Sequence, residues 1–248
     1  MRRIHLLVAV VTAAALIVGV ASATAGKPSG NACAGGTLAS GTYGSITITN
    51  TCAPAPGAAI TIDGNLTLAA GAVFNDHAGV PASITITGNV KVGQGAVLGL
   101  GSYNPTAAQV TVVDGNVVAN KPASLYLSFM TVRGNLISNG GGTDDRNFPI
   151  KDDTVGGNVV IQGWHGFWMG LLRTTVGGNV IIANNTAADT SQLPGIDSTE
   201  VVNNDIAGNL ICHHNTPVAQ LGDTEQPPSR VGGNTLGECA HELPLATG

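Results

Sequence analysis

Val155-Gly156-Gly157-Asn158-Val159-Val160-Ile161 and Val176-Gly177-Gly178-Asn179-Val180-Ile181-Ile182 state one phrase twice in close succession. The phrase is a β-branched residue, any residue, Gly-Asn, and then an apolar run. Working outward, Gly-Asn recurs at Gly64, Gly88, Gly115, Gly134, Gly157, Gly178, Gly208 and Gly233. The period is about 24 residues, in the range of solenoid repeats. The residue two before each Gly is always Ile or Val, from Ile62 to Val231, and the residue after each Asn is Leu or Val except for Thr235. One such repeat cannot bury its own apolar face, so the repeats must stack. The predicted fold is all-β, a single right-handed parallel β-helix of about eight to nine coils. Its hand follows from the rule for parallel crossovers.

Residues 1–25 stand outside the repeat. Arg2 and Arg3 precede an apolar stretch from Leu6 to Val20 and then small residues ending in Ala23-Thr24-Ala25, the order of a secretory signal peptide. A retained anchor is the alternative, with a core short for a membrane span. Residues 26–248 form the expected β-helix domain, with repeats over about 33–239 and a short C-terminal tail. No later segment is apolar enough to cross a bilayer, so no transmembrane anchor is expected after processing. The expected location is secreted or extracellular, with cell-wall association as a variant of it. The net charge of −5 becomes −7 without Arg2 and Arg3. So acidic a chain has no footprint for nucleic acid.

Four cysteines in an exported chain suggest two disulfides. Cys33 and Cys52 are separated by close to one coil, and so are Cys212 and Cys239. Stacked strands lie ~4.8 Å apart, which a disulfide can bridge. The crossed pairings would span roughly 35 Å by the same rise. Cys33–Cys52 and Cys212–Cys239 are therefore the predicted pairs, each pinning one end of the solenoid.

The recurring Gly-Asn is expected at a corner, where Gly supplies positive φ and stacked Asn side chains bond from coil to coil. Asn65, Asn89, Asn116, Asn135, Asn158, Asn179, Asn209 and Asn234 form the predicted ladder. Alternation turns Leu66 and Leu68, Val90 and Val92, Val159 and Ile161, and Val180 and Ile182 inward. The residue between each pair points outward: Thr67 and Lys91 in early coils, then Val118, Ile137, Val160, Ile181 and Ile211. Two readings of this apolar column stand, a surface covered by a loop or tail and an exposed strip that meets a partner, the envelope or a second copy. Thr47, Thr61, Thr85 and Thr111 suggest a second outward column. A flat Thr ladder could order water and bind ice, although Thr is also ordinary on a strand.

One interruption carries the candidate site. The loop Ser138–Asp153 holds Asp144, Asp145, Asp152 and Asp153, and Trp164, His165 and Trp168 follow shortly after it. Paired carboxylates with a His perform acid–base chemistry on glycans, and indole rings stack on sugar faces. Asp clusters also supply the oxygen ligands of calcium. The bland reading is a polar Gly-rich loop followed by aromatics that fill a wider part of the core. His213-His214 lacks the ligand spacing of a metal site.

Phe148-Pro149-Ile150-Lys151-Asp152, Ile206-Ala207-Gly208-Asn209-Leu210-Ile211-Cys212, Asn215-Thr216-Pro217 and Val231-Gly232-Gly233-Asn234 through Cys239 resemble secreted bacterial right-handed parallel β-helix repeat proteins. The likeness is to an actinobacterial group of unassigned activity within the pectin-lyase-like superfamily, and it covers about Cys33 to Cys239. It implies a pectin-lyase-like solenoid and brings no catalytic residues with it. Polygalacturonase-type enzymes of that superfamily pair Asp-Asp with a downstream Gly-His-Gly and an Arg-x-Lys. Here His165-Gly166 follows Asp152-Asp153 too closely, and Arg-x-Lys is missing. A shared fold does not confer a shared reaction. The expected function is a non-catalytic surface, spacer or adhesion protein whose partner is an extracellular glycan or the cell envelope. Polysaccharide binding or cleavage is the alternative, with calcium as the one cofactor to consider.

Overall fold

The alternation Ile46-Thr47-Ile48, Leu66-Thr67-Leu68 and Val90-Lys91-Val92 places one wall of a coil in each repeat, with outer residues buried and the middle one turned out. A computed structural model describes residues 32–77, 80–103, 109–188, 199–222 and 227–240. The chain is an all-β, right-handed-type parallel solenoid of about eight turns. Three parallel sheets run along its axis: sheet A with ten strands from Ala32–Cys33 to Thr235–Gly237, sheet B with eight from Gly36–Leu38 to Thr199–Val202, and sheet C with nine from Gly41–Tyr43 to Arg230–Val231. Residues 1–25, read from the sequence as a signal peptide, and the tail beyond Ala240 lie outside the described residues.

Each coil places one residue of a given type above its counterpart. Ile62, Ile86, Val113, Val132, Val155, Val176 and Ile206 form one buried file, and Leu66, Val90, Val117, Leu136, Val159, Val180 and Leu210 form another. Parallel strands with one face inside supply a single continuous core.

The Asn ladder is built as the repeat suggests. From Asn89 to Asn209, each Asn gives its backbone N–H to the Oδ1 of the Asn one coil earlier at 2.8–2.9 Å. Its Nδ2 donates to the same oxygen at 2.9–3.4 Å. The Ser45 hydroxyl starts the ladder by accepting Asn65 N–H at 3.0 Å, and Asn234 N–H ends it on Asn209 Oδ1 at 2.8 Å.

The reason for glycine differs from the expected one. Of the Gly-Asn glycines only Gly64 has positive φ, at 137°. The others are required by close approach. A Cβ on Gly88 would lie 2.6 Å from Gly64 O and 2.7 Å from Asn65 Oδ1, and one on Gly178 would lie 2.6 Å from Asn158 Oδ1. Left-handed residues occupy two other corners. Between sheets B and C, Phe129, Asp152, Arg173 and Asn203 have φ of 51–59°. Asn185 and Asn215 follow such residues at the corner between sheets A and B and form a second, buried ladder, with Asn185 Nδ2 donating to Asn215 Oδ1 at 3.1 Å.

Both predicted disulfides are present, with Cα separations of 6.4 Å for Cys33–Cys52 and 5.1 Å for Cys212–Cys239. They are the mark of a chain that matures in an oxidising compartment. The register corrects the Thr column. Thr47 sits on sheet A beside Thr67, and Thr111 is buried against Ile84. The outward file of sheet C is Thr42, Thr61, Thr85, Val112, Thr131, Thr154 and Thr175.

Candidate functional site

The strands Asn147–Lys151 and Trp168–Leu172 of sheet B carry the candidate residues. Their register sets Asn147 beside Trp168, Pro149 beside Gly170 and Lys151 beside Leu172. Phe148, Ile150, Met169 and Leu171 point into the core. Gly170 is needed here because a Cβ would run into the six-membered ring of Trp168, which lies over it on the outer face. The Lys151 ammonium sits 4.8 Å from the centre of that indole, a cation–π contact. Burial lowers the Lys151 pKa, and the nearby Arg173 guanidinium acts in the same direction.

The two Trp residues part company. Trp168 is half-buried on the surface, whereas Trp164 is in the core, edge-on to Phe148 with ring centroids 5.5 Å apart. The expectation that Trp164 stacks on a ligand is therefore corrected. Gly142 of the acidic loop packs against its indole nitrogen, so the loop roofs the ring.

The four carboxylates do not converge. Asp144 and Asp145 stand before the strand Asn147–Lys151 and Asp152 and Asp153 stand after it, which separates the pairs by roughly 15–20 Å at the rise of a strand. Asp144 is exposed and bonds His165 Nε2 at 2.9 Å, also in the open. Asp145 accepts from the Thr143 hydroxyl at 2.6 Å, which holds its pKa below the usual carboxylate range, and it lies 3.6 Å from Arg146. Asp152 is clamped by Arg173 through Nε and Nη2 at 2.6 and 2.7 Å. Those bonds raise the pKa of the guanidinium. Asp153 is buried, accepts Met130 N–H at 2.9 Å, and has its pKa pushed well up by burial. Among the described residues, no three His, Cys, Asp or Glu side chains meet at a point that could hold a metal. His213 and His214 lie edge-to-face on each other, with centroids 5.3 Å apart.

Sheet B also carries a group that the sequence did not single out. The His77 ring meets Tyr103 at 4.6 Å and Tyr126 at 6.3 Å, and its Nε2 lies 3.0 Å from Leu100 O. Tyr126 stacks in file with Gly99 and Asn75 on the same outer face as Trp168. The usable signal is the small outward residues Gly170, over which the Trp168 ring lies, and Gly99, which leaves room for the Asn75 side chain.

The chain matches no protein-family model, no curated protein and no solved structure.

Proposed function

We propose that this chain is an exported, non-catalytic β-solenoid that serves as a surface, spacer or adhesion module and meets its partner through sheet B. The observation that carries this reading is the division of the carboxylates. General acid–base cleavage of a glycan needs two carboxyl groups about 5–10 Å apart facing one bond. Here one pair is split from the other by a full strand, Asp152 is neutralised by Arg173 and Asp153 is sealed inside. Export is supported by the Arg2-Arg3 leader pattern, the disulfides and the resemblance to secreted bacterial pectin-lyase-like proteins.

Carbohydrate is the favoured partner because the Trp168 ring lies over Gly170 on the outer face, with the Lys151 ammonium over it and Tyr126 two coils away, roughly 10 Å along the axis. Rings spaced along a solenoid suit successive residues of an extended glycan in the cell envelope or its surroundings. The test is a glycan-array screen with and without calcium, using the wild type and Trp168→Ala. Binding that falls at least tenfold in the variant is expected. Glycan turnover that vanishes in Asp144→Ala or Asp152→Ala would sink the non-catalytic reading.

A further inference from the structure

The outward face of sheet A is three files wide and holds no formal charge across six coils. Its centre is Val118, Ile137, Val160, Ile181, Ile211 and Leu236, in strict register. The Asn ladder runs along one side, and Asn120, Asn139, Gln162, Ala183 and His213 run along the other, with Ala183 buried and Gln162 Nε2 donating to Asn139 Oδ1 at 2.8 Å. The six strands from Val117–Asn120 to Thr235–Gly237 contain no Asp, Glu, Lys or Arg. Glu238, which follows the last of them, turns its carboxylate onto Asn215 Nδ2 at 3.0 Å. Val118 and Leu236 are 36% and 45% exposed. An open groove of about 410 Å³ follows the file from Asn135 and Ile137 to Asn209 and Ile211.

We propose that this face is a contact between two copies of the chain, packed antiparallel and face to face across sheet A. The chain carries a net charge of −5, so two copies repel each other over most orientations. The uncharged rectangle is where they can approach. A two-fold axis along the strand direction sets the aliphatic file on its own copy and each flanking file on its own copy, as an isologous interface requires. Aliphatic side chains then lose water while the two Asn ladders face each other along one rim. Two sheets pack in this way ~10 Å apart.

Lys91 sets the register. It is the next residue of the central file, directly before Val118. With the axis midway between Val160 and Ile181, Val118 faces Leu236 of the second copy and Lys91 falls beyond its end, in water. A parallel arrangement would stack Lys91 on Lys91, and a shifted antiparallel one would bury the ammonium on aliphatic groups, which is costly for an unpaired charge.

Size sets the strength. Six coils and five residue positions make a rectangle of ~24 by 13 Å, or about 300 Å² per copy. A stable specific interface buries ~800 Å² per partner, so the contact is a weak, reversible dimer with a dissociation constant in the micromolar-to-millimolar range.

The experiment is sedimentation of the purified protein over a concentration series, beside Ile181→Lys, Ile181→Thr and the control Thr131→Lys on sheet C. Wild type and control should show the same reversible dimerisation, and Ile181→Lys should weaken it at least tenfold. If Ile181→Lys does not fold, Ile181→Thr keeps a β-branched side chain on the strand and should still weaken the dimer severalfold. A wild type that stays monomeric at millimolar concentration overturns the proposal, as does a dimer indifferent to both Ile181 variants.

Discussion

Asp153 and Asn204 hold the same corner of the solenoid two coils apart, yet only Asn204 uses both polar atoms of its side chain. Each Oδ1 accepts the backbone N–H of the residue stacked one coil earlier, Met130 for Asp153 and Thr174 for Asn204, both at 2.9 Å. Asn204 Nδ2 then donates to Leu171 O at 2.8 Å and to the Ser229 hydroxyl at 3.1 Å. Asp153 Oδ2 has no partner among the described residues. An acid stands where the architecture asks for an amide.

Asp153→Asn should therefore stabilise the protein, by about 1–3 kcal/mol at neutral pH, the usual cost of an unsatisfied buried polar group. The gain depends on pH. The folded-state pKa of Asp153 is raised, so its contribution is complete below the unfolded value of 3.8 and is lost as pH rises toward the folded pKa. Denaturant titrations of both proteins should converge near pH 3 and diverge as pH increases. A variant less stable than wild type at pH 7 would refute the equivalence of the two corners.

A break in the Asn ladder should be felt on both sides. Asn158 donates to Asn135 Oδ1 through its N–H and Nδ2, at 2.8 and 3.1 Å, and its own Oδ1 accepts the same pair from Asn179. Asn158→Ala removes the side-chain acceptor and donor and leaves Asn179 N–H and Nδ2 without their acceptor. The expected loss is about 2–3 kcal/mol in a chemical melt. Asn158→Asp keeps the acceptor but turns a carboxylate oxygen toward Asn135 Oδ1. Its deficit should be larger at pH 7 than at pH 3, and a deficit independent of pH would speak against this geometry.

The solenoid was legible because Val-x-Gly-Asn-Val marks one position of every coil, and the same counting places the disulfides. What repeats is the wall of the coil, so the inward Leu66, Val90 and Val159 and the outward Ile137, Val160 and Ile181 could be assigned by alternation. The candidate site does not repeat, and there proximity in sequence misled. Asp145 and Asp152 are near neighbours in sequence, but a straight strand between them turns that spacing into distance. Trp164 and Trp168 look equivalent in sequence, yet one follows a corner into the core and the other rests on Gly170. The Thr column failed at Thr47 and Thr111 because coil lengths are uneven. The step from Asn116 to Asn135 is far shorter than that from Asn179 to Asn209, so counting along one coil does not say which wall a Thr occupies.

Gly178 tests steric need against conformational need. Its backbone does not take a positive φ, so Ala suits the local conformation. The added methyl would nevertheless sit 2.6 Å from Asn158 Oδ1 and 2.9 Å from Gly157 O, one coil below. Gly178→Ala should cost about 1–3 kcal/mol, the range for overpacking a tight contact. Gly71→Ala meets nothing within 4 Å but has φ of 70°, so its cost is strain alone, about 1 kcal/mol. Thermal melts of the two variants should rank Gly178→Ala as the less stable, and the opposite order would return the Gly-Asn glycines to a conformational role.

Asp76 should give the protein a second buried carboxyl that titrates, next in sequence to His77 of the sheet B aromatic group. It is buried, accepts Ala82 N–H at 2.9 Å, and has an Oδ2 without a partner among the described residues. Burial pushes its pKa up to about 7. The unfolded chain releases this proton near pH 4 and the folded chain keeps it to about pH 7, so stability falls as pH rises through that window and changes no further above it. Neighbouring His77 works in the other direction. Burial lowers its pKa from 6.5, so the stability it contributes is present above 6.5 and is lost as pH falls. Asp76→Asn removes the first effect and leaves the second. Measured between pH 4 and 7 on an Asp153→Asn background, the parent should lose stability with rising pH, whereas Asp76→Asn should hold steady or gain. Parallel pH profiles for the two would show that Asp76 is ionised in the folded protein and that its orphan oxygen is solvated.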